Sequence, residues 1–269
     1  MNTVTLRLWS RRDTLGVYLR EAAFQFRTLV RTPAFALPTL LFPALLYAFF
    51  GLLNGGHPAP IAAHMLATYG VFGVMAPALF GIGVGVATER ERGILALKRV
   101  APMPPPAYLF AKTATVMLFA LLIVLSLFCL GTLLGGVLLP ATEWGLLGLT
   151  LVIGTLPFCA LGLAVGLRAG GQSAAALINV IYLPMAFLSG LWAPLRLFPP
   201  WLRDVASLLP AYHLSRIALG VVHGTGSDST PLRILPHALR LAGHLSYLLV
   251  FTALCLGSAQ RAWRRIQDR

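Results

Sequence analysis

Charged side chains are scarce in this chain, and where they gather they point to docking rather than to catalysis. The run Glu89-Arg90-Glu91-Arg92-Gly93-Ile94-Leu95-Ala96-Leu97-Lys98-Arg99-Val100-Ala101-Pro102 puts charge at both ends of an apolar middle, and Pro102 with Met103-Pro104-Pro105-Pro106 stops it. This predicts a short helix projecting from a membrane, suited to seating on a soluble partner. A plain cytoplasmic connector fits the same spacing equally well. The six histidines form no HExxH; His57 with His64, and His237 with His244, are pairs seven apart, and one pair cannot complete a metal site. No metal is therefore expected. Gly81, Gly83 and Gly85 make a GxGxG pattern inside an apolar run, without the strand and acidic residue of a dinucleotide site, so close helix packing is the better account. Neither a GxSxG nucleophile nor a GxxxxGK[ST] phosphate loop occurs in the sequence, so no catalytic residue is assigned.

The elements that must position the charged run are membrane spans. Of 269 residues 58% are hydrophobic and 11% charged, and the mean hydropathy is +0.80, whereas soluble domains carry roughly 25% charge. The net charge of +13 would suit nucleic acid in a soluble chain. Here Lys and Arg lie between apolar runs, an orientation signal, and no nucleic acid partner is expected. Cys129, Cys159 and Cys255 sit in apolar stretches as small hydrophobes.

A bilayer core about 30 Å thick needs roughly 20 apolar helical residues. Six stretches qualify: Ala34–Leu53, Ile61–Ala87, Thr113–Leu139, Trp144–Leu167, Gln172–Ala193 and Leu241–Ala259. The fold expected is an all-α integral membrane protein: a cytoplasmic segment 1–33, one six-span domain over 34–259, and a cytoplasmic tail 260–269. Leu15, Leu19, Ala22, Phe26 and Leu29 oppose Arg20, Arg27 and Arg31, which predicts an amphipathic helix along the cytoplasmic interface; a solvated helix is the simpler reading. With a cytoplasmic N-terminus, sixteen basic residues fall inside and five outside, placing both termini in the cytoplasm. All eight carboxylates fall in loops, tails or the N-terminal segment, which disfavours proton- or ion-coupled transport.

Between the fifth and sixth spans, Leu188-Ser189-Gly190-Leu191-Trp192-Ala193-Pro194 leads to Phe198-Pro199-Pro200-Trp201-Leu202 and Leu208-Leu209-Pro210-Ala211-Tyr212. So apolar and aromatic a loop, cut by prolines, reads as a short re-entrant hairpin that could close a pathway, or as an aromatic anchor at the interface.

The two loops together, with the six-span pattern, resemble the type-2 ABC exporter permeases (ABC-2 family) of bacteria over nearly the whole chain. The resemblance implies that Glu89, Arg90, Glu91, Arg92, Gly93, Leu95, Leu97 and Pro102 form a coupling helix seated on an ABC ATPase. It implies that Ser189, Gly190, Pro194, Pro199, Trp201 and Pro210 belong to an outer re-entrant gate. Ile94 and Ala96 stand where the family usually has Thr and an acidic residue, so no polar contact to the ATPase is implied there. By the same resemblance this chain binds no cofactor, ATP and Mg being held by the partner ATPase. Two permease subunits, identical or different, would export a solute across the bacterial cytoplasmic (inner) membrane by alternating access. Phe42, Phe49, Phe72 and Phe187, on spans one, two and five, are the expected cavity lining. A secondary transporter and a non-transporting signalling subunit are the alternatives. The cargo, whether drug, lipid, peptide or polysaccharide, is not legible.

Overall fold

The computed structural model describes residues 11–53, 59–95, 97, 105–223 and 231–267, without the side chains of 11–14, 52–53, 105–106, 231–238 and 267. Among them the chain is helical, with no strand. Helix α1 is Arg11–Val30. The first span joins α2, Pro33–Leu46, to a π-helical stretch Tyr47–Leu53; the second runs through α3, Ala59–Ala76, a π stretch Pro77–Val84, and α4, Gly85–Glu91. The third is α5, Pro105–Leu133; the fourth is α6, Ala141–Ile153, with α7, Leu156–Gly166; the fifth is α8, Gly171–Leu188. A 3₁₀ turn Leu195–Leu197, α9, Pro200–Ala206, and α10, Pro210–Val222, precede the last span within α11, Pro231–Gln267. Six helices are long and apolar enough to cross a membrane: Pro33–Gly51, Ala59–Glu91, Ala107–Leu133, Ala141–Gly166, Gly171–Leu188 and Leu239–Ile266.

Prolines set the local irregularities. Pro38 and Pro43 lie inside α2 ahead of the first π stretch, Pro77 opens the second, and Pro157 restarts the fourth span after Gly154 and Thr155. Each removes one backbone donor from the i→i−4 ladder, and neighbouring groups take up the slack. At the fourth-span break the Thr155 hydroxyl donates to the Val152 carbonyl at 2.7 Å. The fifth span stops at Leu188 rather than Ala193 because Gly190 takes φ +75. Gly190 N–H donates to the Phe187 carbonyl and Leu191 N–H to that of Ala186, the Schellman pattern that only a glycine closes without strain. The third span starts and ends about six residues before the sequence-based bounds 113–139. Its helix takes in Lys112, one residue outside those bounds.

The second span is the central element, with α5, α7, α8 and α10 packed around it. Apolar burial drives little association in lipid, so packing depends on close approach. Gly83 of the second span meets Gly162 and Gly166 of the fourth: a Cβ on Gly162 would lie 2.9 Å from the Ala78 carbonyl oxygen, and one on Gly166 would collide with the Gly83 carbonyl. Gly83, the middle glycine of the GxGxG pattern, thus serves packing. Gly166→Ala is expected to destabilise the protein by about 1–3 kcal/mol, because backbone cannot retreat as a side chain can. Gly145→Ala, where a Cβ meets nothing within 4 Å, should leave the thermal midpoint in detergent unchanged or raised. Equal midpoints for the two variants would refute the close crossing.

Helix α1 lies along the third span through edge-to-face pairs Tyr18–Phe110 (5.3 Å) and Phe26–Phe119 (5.6 Å). Ala22 is buried there, while Leu15 and Leu19 stay exposed beside Arg20. The apolar stripe read from the sequence therefore splits between packing and surface.

Candidate coupling site at one end of the bundle

The helix of the second span is 33 residues long, roughly 50 Å at 1.5 Å per residue against a core of about 30 Å. Its last turn therefore emerges from the apolar zone, and there its charged residues are tied to neighbouring elements. Glu89 accepts from Lys112 Nζ at 2.8 Å and from the Tyr108 hydroxyl at 2.6 Å, both on the third span. The Lys112 ammonium also lies 5.3 Å over the Tyr108 ring. The Lys112 and Glu89 side chains are 7% and 19% exposed, so the pair is largely cut off from water.

Arg90 faces the other way. Its guanidinium donates to the carbonyls of Leu167 and, at 2.9 Å, of Ala169. These belong to the orphan acceptors at the end of the fourth span, and a cation there also meets the negative end of the helix dipole. Glu91 reaches the start of the fifth span, where a Cβ on Gly170 would strike its carboxylate and one on Gly171 would lie 2.9 Å from Oε2. A carboxylate at a helix N-terminus is favourably placed. Arg168 extends the linkage, donating to Ala164 O at 2.7 Å and to Ser258 O of the sixth span at 2.5 Å. Glu89 and Arg90 of the second span thus bind the third span and the fourth-to-fifth turn, Glu91 lies close against the start of the fifth, and Arg168 binds that turn to the sixth.

Beyond Glu91 the chain turns at Arg92 and Gly93, with Gly93 at φ +71, and resumes a helical course at 94 and 95. Arg92, Gly93 and Leu97 are exposed, whereas Leu95 is buried. Pro102 lies outside the described residues. The network corrects one reading: Glu89 and Lys112 are paired within helices of span length, not lodged in a loop. Their place near a helix end still leaves the mid-span free of carboxylates among the described residues. Sequence reasoning missed Tyr108 and Arg168 as partners.

The profile of the ABC-2 family transporter proteins matches residues 54–259, which takes in the second to fifth spans, most of the sixth and the whole network. The chain belongs to the ABC-2 transporter family. It is a multi-pass membrane permease. It is 28% identical over 243 residues to YvfS of Bacillus subtilis (strain 168), assigned as a transport permease, covering 89% of this chain and 96% of that protein.

At the opposite end of the ABC-2 permease, α9 and α10 bend by 90° at their break and together are long and apolar enough to count as one bent membrane element. Pro210 opens α10, whose buried face (Ala211, Leu214, Ile217, Ala218, Val222) packs on the second, fourth and sixth spans. Ser189 and Pro210 are buried, and the Ser189 hydroxyl finds no hydrogen-bond partner among the described residues. Gly190 forms the turn, and Pro194, Pro199 and Trp201 are exposed. Phe42, Phe49 and Phe187 are exposed on the first and fifth spans. Phe72 is fully buried, stacked on Tyr182 at 5.1 Å and touching Trp192 (5.3 Å) and Phe42 (5.8 Å).

Proposed function

We propose that this permease is the membrane half of an ATP-driven exporter of the bacterial cytoplasmic membrane, with both termini cytoplasmic. Permeases of this family normally work with an ABC ATPase. Here that subunit docks in trans on residues 89–102 and holds the ATP and Mg. The observation that carries the reading is the binding of Glu89 to the third span and of Arg90 to the fourth-to-fifth turn. A push on the docking segment cannot move the second span alone. When ATP closes the ATPase pair, the docking helices move with it, the tethered spans tilt as rigid elements, and the cavity changes the side to which it opens.

The exposed faces of the first and fifth spans support a second permease copy and the pathway between the two. Gln172, Ser173 and Asn179 lie exposed on the otherwise apolar fifth span, together with Phe187. A carboxamide such as that of Asn179 in mid-span is costly against lipid and suits a protein interface or a wet passage. Phe42 and Phe49 flank that passage, with Phe72 backing them, and the α9–α10 elbow closes its outer end.

Affinity purification of the tagged permease from its native membranes in mild detergent, with identification and ATPase assay of what co-purifies, tests this reading. A stoichiometric ATPase that is lost on deleting 89–102 is expected. Recovery of the permease alone, without ATPase activity, would overturn it.

A further inference from the structure

A cleft runs between the third and sixth spans at the Glu89 end of the bundle. Both spans meet α7 of the fourth; among the described residues the sixth packs mainly on α7 and α10, and it is the least buried of the six spans. Two adjoining cavities, of about 250 and 550 Å³, make up the cleft, and Leu109, Leu163 and Leu256 line both. The one towards mid-membrane adds Ile82, Cys159, Ala160 and Thr252, and is lined wholly by described residues. The other, towards the helix ends, adds Val86, Leu167, Gln260, Trp263 and Arg264.

The polarity along the cleft is that of a phospholipid. From Thr252 to Arg264 the sixth span rises about 18 Å at 1.5 Å per residue, against about 15 Å for one leaflet's share of a core about 30 Å thick. The far end is apolar, and polar side chains there already have partners: the Thr252 hydroxyl donates to the Leu248 carbonyl at 2.6 Å and the Lys112 ammonium to Glu89 at 2.8 Å. The near end carries Gln260, the ring of Trp263, a residue that collects at membrane–water boundaries, and the exposed Arg264, whose planar fork matches two phosphate oxygens. An apolar cleft left empty forfeits dispersion contacts on both walls, and the bilayer core holds no water to fill it. A helix about 10 Å across would displace roughly 1,400 Å³ over the same length, more than the two cavities together hold. A single hydrocarbon chain is slender enough.

We propose that this cleft holds one phospholipid of the leaflet on the Glu89 side, with an acyl chain between the third and sixth spans and the phosphate on Arg264. The lipid fills the gap between the two helices and joins the sixth span to the third. The site is separate from the docking segment and does not rest on the ATPase reading.

The test is native mass spectrometry of the full-length permease in a mild uncharged detergent, titrated with dioleoyl-phosphatidylglycerol and, separately, with dioleoylglycerol. One phosphatidylglycerol per chain should survive the activation that strips the rest, and dioleoylglycerol should be held ~10-fold more weakly for want of the phosphate. Thr252→Phe with Leu256→Phe, which fills the apolar part, and Arg264→Gln, which removes the partner of the headgroup, should each lower retention ~10-fold. Leu254→Phe, on the opposite and exposed side of the same helix, should leave retention unchanged. Arg264 is exposed, so Arg264→Gln alone decides the matter if the filled variant elutes as aggregate. No retained lipid, retention unchanged in the folded variants, or equal hold on the two probes would overturn the proposal. So would a dimer that the same substitutions break, since a second copy would then cover the cleft.

Discussion

Glu89→Gln is expected to lower the unfolding free energy of the permease by roughly 3 kcal/mol, among the largest effects for a single conservative change in this chain. The amide keeps the shape and can still accept from Tyr108, but it removes the charge opposite a Lys112 side chain that is 7% exposed. Removing a carboxylate charge that faces a buried ammonium is costly, and the low end of the range applies because Glu89 itself is 19% exposed and admits some water. Lys112→Met should cost less, since Glu89 keeps the Tyr108 hydroxyl and its own access to solvent. The double variant Glu89→Gln with Lys112→Met should recover to within about 1 kcal/mol of the parent, because the buried cation and the charge facing it are removed together. Thermal or denaturant unfolding in one detergent measures all four proteins. Additive losses in the double variant would show that the pair contributes nothing as a pair.

Why this pair escaped the sequence has a physical cause. Reading spans by hydropathy ends each helix at its first charge, whereas a helix continues past the bilayer wherever its backbone allows. Lys112 therefore fell in a loop, and Glu89 beyond the end of span two. The six spans themselves were legible, since about 20 apolar residues are needed to cross and few other folds produce such runs. The packing role of Gly83 follows its pattern, but its partners Gly162 and Gly166, about 80 residues away, leave no signature in the spacing. For α10 the sequence does carry a signal: Ala211, Leu214, Ile217, Ala218 and Val222 recur mostly at three- and four-residue intervals behind Pro210, the pattern of a buried helix face. Proline cuts a loop when read alone, but Pro210 stands at the first turn of a helix, where its missing N–H costs nothing. The hydrogen-bonded pairs His64–His223 and His213–His244, 159 and 31 residues apart, carry no local signature at all.

Gly93→Pro separates transmission from stability. Gly93 sits at φ +71, a region closed to proline, whose ring holds φ near −65°. Its N–H donates to the Arg90 carbonyl at 3.1 Å, and its own carbonyl accepts from Leu97 N–H at 3.2 Å; proline removes the first bond and, by moving the backbone, the second. The turn joining α4 to the docking segment must then adopt another course, and the segment leaves the second span at another angle. The ties of Glu89 to Lys112 and of Arg90 to Ala169 lie before the turn and survive. Insertion and thermal midpoint should therefore stay close to the parent's, in contrast to Glu89→Gln. What should fall, by tenfold or more, is the stimulation of the partner ATPase by the permease, because a displaced docking helix loses the orientation on which a rigid linkage depends. Gly93→Ala supplies the graded control: a Cβ there meets nothing within 4 Å, so the cost is the left-handed backbone alone, about 1 kcal/mol, and most of the stimulation should remain. Stimulation by Gly93→Pro at the parent's level would mean that the angle of the docking segment is immaterial, and the rigid linkage from residues 89–97 into the bundle would have to be given up.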